Sequence, residues 1–278
     1  MGLFVIYQEA FYRAIIKSRV IRPLRMPNAT KTSLLGYADD TTVLITNEES
    51  LLELEKIILN FEHATGATLN RNNKTKIFGL GKWKNREHWP IAWLKVDTEY
   101  FFTLGVYHCN SYALTLEKNW STCLNALKSH RNILSNRRLS LFQRVTYANA
   151  CMLSKLWYLT HIYPLTEKYA KEINKIIFPY IWSGPYEPIR RATVFRPRNE
   201  GGLGIVNCYV KAQVIFINSF MQYVINENIE NSLLYRDFYI HLCFQENIHM
   251  EKSNIQPSTG SAFGEIFLVS FLNHTKKK

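Results

Sequence analysis

The chain has 278 residues, of which 47% are apolar and 14% aromatic, which excludes a disordered polypeptide and allows one large domain or two to three small ones. Lys and Arg number 34 against 22 Asp and Glu, and the excess is local: residues 117–200 carry 14 basic and 5 acidic side chains, whereas residues 201–278 carry 6 of each. A basic block of this kind points to a polyanionic partner, nucleic acid or an anionic surface.

Residues 3–18 predict an amphipathic helix, because Phe4, Tyr7, Phe11 and Ile15 recur at helical spacing. Pro23 and Pro27 punctuate the loop that follows. Ser33–Tyr37 and Thr41–Thr46 are β-branched, aromatic and aliphatic runs around a short polar gap, a hairpin pattern. Asn47 is a suitable N-cap, Glu48 and Glu49 suit the positive end of a helix dipole, and Leu51, Leu54, Ile58 and Phe61, with Ile57 beside them, line one face of a helix ending near Gly66. Residues 74–80 and 100–107 read as further strands, separated by the basic, aromatic loop "GKWKNREHWP".

Beyond residue 116 the pattern is helical. Helices are expected at about 117–134, 137–161 and 166–182, with Ser135-Asn136 and Thr166 as caps and Pro179 kinking or ending the third. "SGPYEP" is a loop and domain boundary. "NEGGLGIVN" is a glycine-rich turn without the G-x-G-x-x-G spacing of a dinucleotide site. A helix from about 208 to 226 precedes a weakly patterned tail.

Five cysteines, Cys109, Cys123, Cys151, Cys208 and Cys243, form no C-x-x-C pair, so neither a zinc ribbon nor a disulfide framework is supported, and reduced thiols in an intracellular chain are expected. His63, His88, His108, His130 and His161 have no metal-ligand spacing. The longest apolar stretch, Ala212–Ile225, is broken by Gln213, Asn218 and Gln222 and falls short of the ~20 residues a membrane span needs.

The residues with most chemistry lie in "LLGYADDTTVLI". Asp39 and Asp40 are adjacent like charges between apolar strands. Alone, such a pair fits a solvated turn. The sharper alternative, which the flanking apolar strands with Tyr37 and the small Ala38 bring forward, is a divalent-cation site, since hard carboxylate oxygens suit Mg²⁺ or Mn²⁺ and the cation relieves the repulsion. Side chains alternate along a strand, so either the pair lies at the turn or one Asp is the primary ligand.

"GYADDTTVLIT" followed by an acidic amphipathic helix resembles the catalytic hairpin of reverse transcriptases, in the version found in non-LTR (LINE-type) retrotransposons. "TGATLNRNNKTKIFGLG" is similar to the family's next block, with one extra residue between Asn70 and Lys74. "YFFTLGVYHC" resembles its primer-grip strand pair, with Leu104 and Gly105 at the centre. "RRLSLFQRVTYANACMLSKLWYLTHIYPL" resembles its thumb helix, and "YIWSG" and "RNEGGLGIVN" resemble segments after it. The likeness covers roughly residues 1–225 in order.

The resemblance implies an α+β chain. A partial polymerase palm, antiparallel sheet with helices, would occupy 1–112, a helical thumb 113–185 and a mixed post-thumb region 186–278. It implies RNA-directed DNA polymerisation by two-metal nucleotidyl transfer, with Mg²⁺ (or Mn²⁺) held by Asp39 and Asp40 and Lys74 acting on the leaving pyrophosphate. RNA template, DNA primer or target, and deoxynucleoside triphosphates would be the partners, in the nucleus or cytoplasm and not at a membrane. Tyr37, Ala38, Leu104 and Gly105 would lie against nucleic acid.

Arg137, Arg144 and Lys155 are spaced to share one helix face, as are Lys168, Lys171 and Lys175 on the next helix, with Trp120, Tyr147 and Trp157 nearby. These are either a nucleic-acid groove with aromatic platforms or the solvated face and packed core of a bundle. The family's scheme also needs an earlier aspartate and nucleotide-binding residues. The chain begins inside a "PLLFxLY"-type helix, and Glu9 is the one acid before Asp39. The expectation is a C-terminal piece of a longer enzyme, inactive alone. The alternative is a non-catalytic nucleic-acid-binding remnant of a retroelement.

Overall fold

In the computed structural model, residues 2–25, 31–37, 40–71, 75–84 and 86–222 are described. They fall into two compact units, one ending at Tyr112 and the other beginning at Ala113. Elements of both kinds are present, in an α+β arrangement.

The first unit opens with α1 (Gly2–Lys17) and the short antiparallel pair β1 (Leu24–Arg25) and β2 (Lys31–Thr32). Hairpin β3 (Leu34–Tyr37) and β4 (Asp40–Val43) follows, then α2 (Glu48–Thr65). Asn47 caps α2 by accepting from the Ser50 N–H, and at the far end the Gly66 N–H donates to the Glu62 carbonyl at 2.8 Å. Both ends therefore stand where the sequence expects them. Ser50, fully buried, ties α2 to the preceding loop: its hydroxyl accepts from Arg22 N at 2.8 Å and donates to the Val20 carbonyl at 3.2 Å. Ile15, Ile21 and Leu54 form the core of this region, with Phe11, Leu34, Val43, Ile45, Ile57 and Ile58 against them. Phe61 closes the α1–α2 contact, with the rings of Tyr7 and Phe11 both 5.1 Å away.

The remaining strands differ from the expected antiparallel sheet. β5 (Lys76–Phe78) pairs in parallel with β6 (Lys95–Asp97), and the Lys76 ammonium meets the Asp97 carboxylate at 2.6 Å. β6 has too little apolar alternation to be read from sequence; its partner holds it. β7 (Tyr100–Thr103) and β8 (Val106–Cys109) form a second hairpin. Each sheet among the described residues is two-stranded.

The second unit is helical. α3 (Tyr112–Ser135) begins earlier than expected, and α4 (Leu141–Tyr147) begins later. The reason for the late start is Ser140. It accepts from Gln143 N while Gln143 Oε1 accepts from Ser140 N, a capping box written in the sequence as S-x-x-Q. A π turn, Ala148–Leu153, joins α4 to α5 (Ser154–Thr160). α6 (Glu167–Trp182) runs through Pro179 into its last turn, and Ser183 ends it in a left-handed conformation (φ 55°). After the short α7 (Arg191–Val194), the glycine-rich turn is fastened to the π turn. Asn149 donates to the Gly204 carbonyl at 2.9 Å and accepts from Val206 N at 3.0 Å. Asn207 caps α8 (Cys208–Phe220). Trp120, Leu127, Met152, Leu156, Leu165 and Ile173 are among the fully enclosed side chains of this unit. The expected tail beyond 226 lies outside the described residues, as does Cys243.

Candidate metal-binding hairpin and basic helices

The register of β3 and β4 sorts their side chains. Leu34 opposes Val43 and Gly36 opposes Thr41, and these face α1 and α2; Leu35 opposes Thr42 and Tyr37 opposes Asp40, on the other face. The inner face is built around Tyr12. Its hydroxyl lies 3.0 Å from Thr41 Oγ1, which also accepts from Gln8 Nε2 at 3.0 Å. The Tyr12 ring lies over Gly36 so closely that a Cβ there would come within 2.5 Å of the Tyr12 hydroxyl. Glycine is required at 36 because a helix side chain crosses the strand there.

The outer face is open. Tyr37 is 70% exposed and Leu35 56%, and Asp40 is exposed with no ion-pair partner among the described residues. Pairing of Tyr37 with Asp40 leaves two residues, Ala38 and Asp39, to connect the strands. Asp40 is thus a strand residue beside Tyr37. Ala38, Asp39 and Lys74 lie outside the described residues. An exposed strand carboxylate with no ion-pair partner among the described residues, next to a second Asp in sequence, fits a hard divalent cation. Among the described residues no three His, Cys, Asp or Glu side chains gather.

The second hairpin turns on Leu104 (φ 48°) and Gly105 (φ 80°), so both central residues are left-handed, as a two-residue hairpin turn requires. Gly105 adopts this freely, while at Leu104 the Cβ costs about 1 kcal/mol. Phe102 and Leu104 are exposed at the tip, and the Phe102 ring lies 4.6 Å from Tyr107. His108 is pushed below the usual imidazole value by burial.

The basic, aromatic loop after β5 is not a free arm. The Arg86 guanidinium lies over both Trp83 and Trp89, 4.9 and 4.8 Å from the ring centres, which are themselves 5.7 Å apart, and bonds Glu48 at 2.6 Å. Arg86 holds the Glu48 carboxyl below its ordinary value. A second clamp, unforeseen from sequence, joins Glu62 to both terminal nitrogens of Arg71 and to the Leu69 N–H at 2.6 Å, with Arg71 over Trp93. The Arg71 bonds, with help from Leu69, hold the Glu62 carboxyl below the usual range.

The structure corrects the expected shared face of Arg137, Arg144 and Lys155. Arg137 precedes the capped start of α4 and belongs to the turn after α3. The π turn between Arg144 and Lys155 then slips the helix phase by about 100°, one residue's rotation. Arg144 accordingly meets α6: it donates to the Ser183 hydroxyl, and it lies with Arg137 near the Tyr180 phenol. Lys155 instead lies near Cys123 of α3, where its charge offsets part of the burial that pushes that thiol up to about 11. Tyr180 is 4% exposed, and burial raises its phenol against the two arginines. Among the described residues neither the Tyr180 hydroxyl nor Arg144 Nε has a hydrogen-bond partner.

Of the aromatics near these cations, Trp120 is fully buried and stacks on Tyr169, which makes it core and not a platform. Trp157 lies under Lys211, 4.4 Å from the ring centre. On α6 the three lysines are exposed; Lys171 pairs with Glu167 and Lys175 with Glu172 within the helix. Cys208 is buried against Asn174, and its thiol is pushed up to about 11, which makes it inert at neutral pH. No helix among the described residues is long and apolar enough to cross a membrane. No family model matches the chain.

Proposed function

We propose that this chain is a part of an RNA-directed DNA polymerase of the non-LTR retrotransposon type, with β3–β4 as its metal-binding hairpin. The observation that carries the reading is the two-sided hairpin. One face is locked on α1 through Gly36, Tyr12 and Thr41, and the other presents Tyr37 and Asp40, which has no ion-pair partner among the described residues and follows Asp39 in sequence. A supported strand under the exposed Asp40 carboxylate is what positioning a divalent ion requires. Leu104 and Gly105 in a tight turn with exposed apolar neighbours, and the cation-rich helices of the second unit, suit a polynucleotide partner.

Asp39 and Asp40 would hold Mg²⁺ or Mn²⁺, and Lys74 would approach the leaving pyrophosphate. When bound, the metal supplies Lewis-acid stabilisation of charge on the phosphoryl oxygens. One hairpin provides half of a two-metal ligand set. Glu9 does not complete it: its carboxylate is paired with Arg13 at 2.8 Å on α1. On this reading polymerisation needs a further carboxylate beyond the hairpin, and the expected outcome for the chain alone is no activity. The test has two parts. Mn²⁺ should bind the chain and broaden resonances at Tyr37 and Asp40, and Asp39→Asn should abolish the broadening. Primer extension on an RNA template should be absent for the chain alone and restored, in an Asp39-dependent manner, when a segment carrying the missing palm aspartate is supplied. Extension that survives Asp39→Asn would overturn the reading.

A further inference from the structure

Between α3 and α6 lies a cleft of about 340 Å³. One wall is α3, where Lys128 and Arg131 stand one turn apart and Asn132 adds an amide; the other is α6, with Glu172 and Lys175. Leu124 and Ile176 form the apolar floor. The charges do not cancel. Glu172 is engaged by Lys175 at 2.6 Å, and neither Lys128 nor Arg131 has an ion-pair partner among the described residues. Lys128 and Lys175 are exposed and Arg131 is half-buried, so the cations are reachable while the guanidinium is partly held in place.

We infer that this cleft grips the phosphate backbone of a nucleic-acid strand, with Lys128 and Arg131 as its phosphate contacts. The inference rests on the polynucleotide reading above and adds to the basic face of α6 a second wall, on α3, that the sequence did not single out. A guanidinium beside an ammonium, with an amide adjoining, matches the oxygens of a phosphodiester. The apolar floor gives a sugar or base edge something to cover. A repeating anion is favoured over an isolated one because the cations continue along α6. Lys168 and Lys171 recur one to two turns before Lys175, a rise of about 5.4 Å per turn that successive phosphates can follow. The Lys171–Glu167 and Lys175–Glu172 pairs are exposed, so they yield to a phosphate at little cost.

The experiment is fluorescence anisotropy of the full chain with a labelled RNA–DNA hybrid, titrated at salt concentrations between about 50 and 200 mM. Lys128→Glu with Arg131→Glu should weaken binding about tenfold or more and reduce the salt slope by about 2, one for each lost contact. Lys128→Gln with Arg131→Gln should fall between, with the helical circular dichroism unchanged for both. If the parent chain binds and both variants match it in affinity and slope, the cleft assignment fails while the polymerase reading stands. If the parent chain does not bind the hybrid, both fail. A second arm uses inorganic phosphate and dATP as competitors. Displacement of the hybrid by either at low concentration, lost in the variants, would make the cleft a small-phosphate site and overturn the backbone assignment.

Discussion

The two units use charge and apolar surface differently. In the first, beside the within-helix pairs Arg13–Glu9 and Lys56–Glu53, Glu48–Arg86 and Lys76–Asp97 join segments 38 and 21 residues apart, and Glu62–Arg71 closes a nine-residue loop. In the second, Lys171–Glu167, Lys175–Glu172 and Arg191–Glu187 stay within one to two turns of chain. The apolar side chains differ as well. The first unit has two-stranded ribbons over a small cluster at Ile15, Ile21 and Leu54, while the second encloses large residues such as Trp120, Phe178 and Phe216 completely. In the loop around Trp83, Arg86 is committed to Glu48 and to two tryptophan rings, whereas Lys128 and Arg131 of α3 have no ion-pair partner among the described residues. That difference is why the basic helices, and not the basic loop around Trp83, are the candidate polyanion surface.

The sharpest break of this comparison would come from the core. Leu156 is fully buried, and Leu156→Ala should cost about 3 kcal/mol in urea unfolding, whereas Leu35→Ala on the open face of β3 should stay within about 0.5 kcal/mol. Equal effects would mean that the helical unit is no better packed than the hairpin. Next in size is Gly36→Val, which drives a side chain into the Tyr12 ring and should cost about 1–3 kcal/mol. Adding Tyr12→Ala should recover part of that loss, and an additive double mutant would show that the close approach is not the cause.

The clamps can be tested with pH. Arg71 depresses the Glu62 carboxyl, so its contribution is complete above the unfolded carboxylate value and disappears as pH falls through the lower, folded one. Glu62→Gln should therefore flatten the acid side of the stability profile followed by Trp93 fluorescence, with little change in the profile's shape near neutrality. An unchanged acid limb would remove Glu62 from the account. The smallest effect is expected at Tyr180. Its hydroxyl lacks a partner among the described residues, so Tyr180→Phe should be neutral or stabilise by up to about 1 kcal/mol. A clear loss would reveal a bond the hydroxyl makes in solution.

Much of the local structure was legible because its causes are local. Asn47 and Gly66 bound α2 through bonds to residues three and four positions away, and the apolar stripe from Leu51 to Phe61 needs only helical periodicity. The S-x-x-Q signal at Ser140–Gln143 was equally local and marks the true start of α4, which removes Arg137 from the helix. The parallel β5–β6 pair and the Arg86 and Arg71 clamps were not legible, since each needs a partner that no spacing rule names.

By itself the sequence determined the helix periodicities, the basic block and the order of motifs around Tyr37–Asp40, because these depend on neighbours along the chain. Only the tertiary structure decided that Tyr37 and Asp40 face away from α1, that Trp120 is core, and that a π turn sends Arg144 to α6 and Lys155 to α3. It also decided that Lys128 and Arg131 share a cleft with Lys175. Each of these turns on which surfaces meet across helices and strands, and that is set by packing and not by spacing.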